Sequence, residues 1–243
     1  MKKILTIVQV LLGSWLVLQF FSCSKDSYYV DGGRANASFD GSMMDYLDAN
    51  PRQFDTIAQI VRLAGLEDEF KNQEMTFFAP SDINIKKLIG RVGTGGINNQ
   101  LFTLGRDTIR DLADVNAAIW RKYVLRHLFL GKKKLADYSQ IDYDLLHVFG
   151  GQNYISLGNT VCKIGVVFND VKDGTAVLKY MGYRQLNVSY IADITRPNSF
   201  TSIAISSSDQ QPKNGVIHIL DYRKGQLGYR DNEITDDIIE SKR

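Results

Sequence analysis

The side chains from which catalysis or metal binding would have to be assembled are few in this chain. It holds 3 histidines and 2 cysteines in 243 residues. His127, His147 and His218 are scattered, none at metal-ligand spacing to another, and no His-Glu-x-x-His occurs. Ser81, Asp82 and His218 supply the residue types of a hydrolytic triad, but no nucleophile-elbow sequence surrounds the serine. Gly93-Thr94-Gly95-Gly96 lacks the lysine and flanking elements of a phosphate loop and reads as a flexible turn. Cys162 sits in the strand-like run Val161-Cys162-Lys163-Ile164-Gly165-Val166-Val167-Phe168 with no local base or electropositive setting, so it reads as a buried structural thiol. His218 alternates with Val216 and Leu220 on one strand face while Ile217 and Ile219 take the other. It reads as a core histidine donating to a backbone carbonyl, and His127 reads similarly. These residues assign no catalytic group, no metal and no cofactor.

Cys23 has a different setting. Lys2 and Lys3 precede an apolar run from Ile4 to Phe21, and Ser22-Cys23 closes it. Basic start, apolar stretch and small residue before cysteine is the order of a secretion signal. The run is also about as long as a membrane span, which takes ~20 apolar residues, so a retained signal anchor is the alternative. Leu18-Gln19-Phe20-Phe21-Ser22-Cys23 resembles a bacterial lipoprotein cleavage box, with Phe21 and Ser22 in place of the commoner small pair. The resemblance implies cleavage before Cys23 and acylation of that residue. Several acyl chains would then hold the protein on a membrane, each buried methylene contributing ~0.8 kcal/mol. Ser24 permits the outer membrane, and Ser24-Lys25-Asp26 resembles the export tag of surface lipoproteins in Bacteroidota. Cell surface and periplasmic face both stay open.

The charge follows the same division. The chain carries 29 Lys+Arg against 27 Asp+Glu, a net charge of +2. Lys2 and Lys3 are the only charges before Cys23, so residues 23–243 hold 27 of each sign. A balance of zero argues against a nucleic-acid-coating surface. With 44% hydrophobic and 23% charged residues, disordered, collagen-like and coiled-coil chains are excluded. Two cysteines exclude a disulfide scaffold.

The elements that must position these residues read as follows. Residues 23–36, with Gly32-Gly33, form a lipidated tether. Ser42 and Asp45 form a capping-box pair, and Asn50-Pro51 stops the helix they begin. Phe54, Ile57, Val61 and Ala64 repeat at helical spacing before Gly65. Residues 75–79 are a short strand closed by Pro80, and Ser81-Asp82 caps a helix that Gly90 ends. Residues 93–99 read as a loop. Ile109, Leu112, Val115, Ile119, Tyr123 and Leu130 give one or two helices ending at Gly131, where Lys132-Lys133-Lys134 reads as a solvated cap. Beyond residue 140 the period becomes two. Strands are expected at 145–149, 154–157, 161–168, 176–180, 188–191, 202–205 and 216–220, separated by Gly and Asn turns. Residues 223–243 are polar and read as a tail or a solvated helix. Helices first and sheet second give an α+β domain.

Two segments stand out: Thr76-Phe77-Phe78-Ala79-Pro80-Ser81-Asp82 and Asn214-Gly215-Val216-Ile217-His218-Ile219-Leu220-Asp221. Together, at opposite ends of one domain, they resemble the two signature motifs of the fasciclin domain. Tyr123-Val124-Leu125-Arg126-His127-Leu128-Phe129-Leu130-Gly131 is similar to that family's Tyr-His segment. The resemblance covers residues 37–222 and implies a single fasciclin-like domain, two β-sheets in a wedge flanked by helices. In animal members the Tyr-His pair and an Asp-Ile pair are linked to integrin adhesion. Here Arg126 replaces the tyrosine, only His127 remains, and Gln210 follows Asp209, so integrin binding is not carried over. His127 and Asp209 are kept as candidate interaction residues, joined by Tyr183 and Tyr222 from a C-terminal half rich in tyrosine, whose rings could stack on sugars or anchor a partner.

These readings lead to one expectation: a membrane-anchored, non-enzymatic interaction or adhesion module of the bacterial envelope, facing an envelope protein or glycan. Bacteroidota lipoproteins of this resemblance accompany outer-membrane nutrient transporters, which suggests an accessory lipoprotein of such a complex. The alternative is an envelope hydrolase acting on a glycan or peptide.

Overall fold

Ser42 and Asp45 cap each other's backbone, Asp45 Oδ2 accepting from the Ser42 N–H at 2.7 Å and Ser42 Oγ from the Asp45 N–H at 3.2 Å. That pair starts the first helix of the structure, a computed structural model that describes residues 37–243. The signal segment 1–22, Cys23 and the tether 23–36 lie outside the described residues.

Helix α1 (Met43–Ala49) stops at Asn50, and Pro51 opens α2 (Pro51–Leu63), where its missing N–H costs nothing. Gly65, at φ 64°, ends α2: its N–H reaches the Arg62 carbonyl and the Leu66 N–H the Val61 carbonyl. Then come α3 (Glu67–Asn72), β1 (Met75–Ala79), α4 (Asp82–Ile89), α5 (Gly96–Thr103), α6 (Ala117–Leu125) and β2 (Leu128–Leu130). The second half holds β3 (Gln152–Ile155), β4 (Val161–Phe168), β5 (Val171–Asp173), β6 (Ala176–Leu178), β7 (Arg184–Ile191), β8 (Phe200–Gln210) and β9 (Gly215–Leu220), and α7 (Asp231–Ser241) closes the chain. Helices and sheet are both extensive, as an α+β domain requires.

Seven strands form one sheet in the order β2-β1-β9-β8-β7-β4-β3, and β5 and β6 make a separate hairpin. The two motif segments are neighbours at its heart. Strands β1 and β9 pair in parallel, Thr76 beside Val216 and Phe78 beside His218, and every residue of both is buried. Asn214 locks the entry to β9. Its side-chain amide donates to the Phe70 and Gln73 carbonyls at 3.0 Å each, and its oxygen accepts from the Met43 N–H at 2.7 Å. Gly215 is required because a Cβ there would sit 2.5 Å from the Met75 carbonyl oxygen.

The expected pair of sheets in a wedge is one continuous sheet instead. Strand β8 belongs to both halves. Residues 200–204 pair with β7, and Ile205, Ser207 and Gln210 pair with β9 across two register shifts. Such bulges bend and twist a strand, and Asp209 sits in one at φ 64°. Alternation across the central strands separates two cores. Met75, Phe77, Ile217 and Ile219 face the helices, with Phe54, Phe70 and Trp120. Phe78 and Leu220 face the second core, with Cys162, Val188, Ile203 and Tyr229.

Four further expectations differ. Residues 145–149 turn instead of pairing, because Leu145 and Val148 stay exposed with no core to meet. The helix expected to reach Gly131 ends at Leu125, and Leu128–Leu130 becomes an edge strand on β1. Asn98-Asn99, read as loop, lies in α5, whose Ile97 and Leu101 are fully buried one turn apart. Residues 223–243 are no tail, and the helix alternative forms at Asp231–Ser241 but is packed and not merely solvated. Leu227, Tyr229, Ile234 and Ile238 are all buried at 0% exposure. The acidic residues of α7 conceal an apolar face at i, i+4 spacing, so the folded unit runs from Ala37 to Arg243.

Candidate functional site

The four nominated interaction residues do not converge. His127 is fully buried, so no partner reaches it. Its Nδ1–H donates to the Phe78 carbonyl at 2.8 Å, and its Nε2 accepts from the Gly228 N–H at 2.7 Å. A carbonyl only accepts and an amide N–H only donates, which specifies the neutral Nδ1–H tautomer. Burial, with Arg126 adding, lowers its pKa from the usual 6.5 to about 3. Asp209 is a structural hinge. Its Oδ1 accepts from the Leu135 N–H at 2.7 Å, and its own N–H donates to His218 Nδ1 at 3.3 Å. His218 is also fully buried, its Nε2–H donating to the Lys133 carbonyl at 2.9 Å, and burial lowers its pKa to about 4. Tyr183 and Tyr222 are 67% and 57% exposed, but they stand in different regions. Asn169 donates to the Tyr183 carbonyl and Asn84 to that of Tyr222.

The paper triad also disperses. Ser81 Oγ donates to Asn84 Oδ1 at 2.8 Å, Asp82 Oδ1 accepts from the Thr56 N–H at 2.9 Å, and His218 has the partners given above. Cys162 is buried, and desolvation pushes its thiol up to about 12, far from the thiolate a nucleophile needs. Among the described residues, no group of three or more His, Cys, Asp or Glu could hold a metal ion.

Arg126, standing where the resembled family has tyrosine, has its own task. Its guanidinium lies over the Tyr123 ring at 4.5 Å and meets Glu233 of α7 at 2.5 Å. Tyr123 OH donates to Asp237 of the same helix at 2.8 Å. Together these contacts dock α7 on α6.

That docking builds one wall of an open cleft of about 830 Å³. Its opposite wall is α4. Asn84 secures that helix: its oxygen accepts from the Ser81 N–H at 2.9 Å, and its amide donates to the Gly225 carbonyl at 2.6 Å. Ile85 and Leu88 turn into the core, so Ile83, Lys86 and Lys87 turn outward. The cleft floor ends at the loop 90–96. Gly90 and Gly96 have φ of 65° and 76°, and each would clash with the other's neighbourhood if it carried a Cβ: one on Gly96 would lie 2.7 Å from Gly90 Cα. Asn98 clamps the far side, accepting from the Ile109 N–H at 2.7 Å and donating to the Ile109 carbonyl at 2.9 Å.

Lys86, Lys87 and Arg91 line this cleft, and none of these side chains has an ion pair or hydrogen bond among the described residues. Asp231 is the one carboxylate of the lining. Thr94, Gln100 and Asn232 add exposed polar groups. Cations, side-chain amides and a hydroxyl equip the lining for charge and hydrogen bonding, beside the apolar Ile83 and Leu88. Sequence reasoning missed these residues because they come from α4, a loop read only as a flexible turn, and the polar C-terminal segment. The one legible signal was Ser81-x-x-Asn84, a cap that dictates which face of α4 turns outward.

No family model matches this chain, and no curated protein matches it. Among solved structures, it is similar to a FAS1 domain pair from the insect cell adhesion molecule fasciclin I, at 16% identity and a TM-score of 0.46. The likeness covers 75% of this chain and 50% of that one, so the chain spans about half the length of that structure.

Proposed function

We propose that this chain is a membrane-anchored, non-enzymatic interaction module of the bacterial cell envelope, carried by acylated Cys23 on the outer membrane and built as a fasciclin-like domain. In its more specific form it is an accessory lipoprotein of an outer-membrane nutrient-uptake complex. The observation that carries the interaction role is the cleft between α4, the loop 90–96 and α7, an open concavity of about 830 Å³ with three unpaired cations. Two helices and a loop tied by Asn84, Asn98 and Arg126 hold it. The anchor reading is supported by the order basic, apolar, Ser22-Cys23. The fasciclin reading is supported by the two motif segments, which lie side by side as the buried central strands.

Two experiments test this. Radiolabelled palmitate should enter the wild-type protein and be lost in Cys23→Ala; equal labelling overturns the anchor. Affinity purification from the native membrane should recover an envelope protein or glycan. Recovery of neither, together with turnover of a test polymer, would replace the module by an envelope hydrolase.

A further inference from the structure

The cleft is more specific than a generic concavity. Its cations are grouped: Lys86 and Lys87 belong to the last turns of α4, and Arg91 follows directly in the loop. Unpaired cations on a concave wall focus field on whatever enters. The first residues of α5 and of α7 also line it, and neither helix has a side-chain cap at its start. These uncapped first turns add partial positive charge, which the Asp231 carboxylate at the start of α7 partly offsets. Amides and hydroxyls from Gln100, Asn232 and Thr94 stand between these charges.

We propose that the cleft binds an acidic oligosaccharide, a short chain of sugars bearing uronic-acid carboxylates. This rests on the reading of the chain as a binding module. Arg91 offers a planar fork that pairs with a carboxylate through two parallel hydrogen bonds, and Lys86 and Lys87 supply point charges beside it. Side-chain amides and Thr94 match sugar hydroxyls, which both donate and accept. Asp231 accepts from such hydroxyls and at the same time opposes a densely charged polyanion. A nucleic acid is disfavoured on a second count, since the lining has no aromatic ring for base stacking. An acidic peptide would be held through a strand edge or a continuous apolar groove; here the apolar Ile83 and Leu88 share a helix face with Lys86 and Lys87, and no strand edge lines the cleft.

The test is calorimetric titration of the full chain in detergent with galacturonate trimer at low salt. Its methyl ester, a sulfated disaccharide, a short single-stranded RNA and a glutamate-rich peptide serve as comparison ligands. Binding of the trimer, no binding of the ester, and weakening as salt rises are expected. Replacing Lys86, Lys87 or Arg91 by Gln should weaken binding about two- to fivefold each, the range for one exposed ion pair. The triple variant should lose at least about tenfold. Asp231→Asn should strengthen the trimer, a change that a merely structural role would not produce. All these side chains are exposed, so an unchanged melting temperature verifies that each variant folds. Equal affinity for acid and ester overturns the proposal, as does undiminished binding by the triple variant, no binding of the trimer, or preference for the RNA, the peptide or the sulfated sugar. The measurement is independent of palmitate labelling and native-membrane capture, so the anchored-module reading and the ligand assignment can fail separately.

Discussion

Acid should unfold this protein through its two buried histidines, and the rate at which stability falls with pH counts them. His127 and His218 are both fully buried, with pKa values lowered from 6.5 to about 3 and about 4. Below pH 6.5 the unfolded chain takes up a proton on each ring and the native chain does not. The unfolded state therefore binds more protons, and native stability falls as pH falls toward 4. Each uncompensated proton contributes about 1.4 kcal/mol per pH unit, so the two together give a slope approaching 3 kcal/mol per unit between pH 4.5 and 5.5. Arg126 and Tyr229 lie against His127, and Phe78, Tyr138 and Asp209 against His218. The Phe78 carbonyl beside His127, and the Lys133 carbonyl and Asp209 beside His218, favour the charged rings, but burial outweighs them and both pKa values stay low. Carboxylates held low in the native chain, Asp45, Asp142, Asp193 and Asp221 among them, also bind more protons when unfolded, and with ordinary carboxylate pKa values of about 4 they add to the slope mainly below pH 4.5. His127→Gln keeps a donor and an acceptor for the Phe78 carbonyl and Gly228 N–H while removing the proton. Urea unfolding at half-unit steps from pH 4.5 to 8 should give the variant about half the wild-type slope over pH 4.5–5.5. Equal slopes for the two proteins, or a wild-type slope below about 1 kcal/mol per unit, would refute the reasoning.

Other outcomes follow from the same packing. Ile238, fully buried on α7, should cost about 2–5 kcal/mol on replacement by Ala, read by chemical denaturation; a near-neutral result would restore the tail. Glu233→Gln weakens the charged hydrogen bond to Arg126, whose side chain is only 9% exposed, and should cost about 2–3 kcal/mol in the same assay. Gly90→Ala places a methyl against the Gly95 carbonyl at φ 65°; it should lower stability by about 1–3 kcal/mol and weaken any ligand of the cleft. In a Cys23→Ala protein, the Cys162 thiol, pushed up to about 12 by burial, should resist iodoacetamide until denaturant unfolds the chain, and fast labelling in the native state would contradict its burial.

Local chemistry wrote several elements directly into the sequence. Ser42 and Asp45 cap α1, Pro51 opens α2, Gly65 ends it, and the period-two runs at 161–168 and 216–220 appear as β4 and β9. His218 donates to a backbone carbonyl as its doubly apolar strand implied. These features depend on neighbours within a few residues, which is why periodicity and caps suffice to read them.

The rest was settled by contacts distant in the chain. Leu128–Leu130 has helix-compatible residues and becomes a strand because β1 offers it an edge. One sheet replaces two because β8 bends at bulges whose position depends on pairing with both β7 and β9. Residues 223–243 look solvated because charged side chains outnumber apolar ones, yet Ile234 and Ile238 share a face that only the folded core can cover. The cleft is the furthest from the sequence. Lys86, Lys87, Arg91 and Asp231 become neighbours only when Asn84 ties α4 to Gly225 and Arg126 ties α6 to Glu233. Composition and local spacing determined α1 and α2 with their caps, β4, β9 and the burial of the two histidines. Which surfaces face one another across the cleft was decided by tertiary packing, because burial free energy is summed over residues that the sequence keeps far apart.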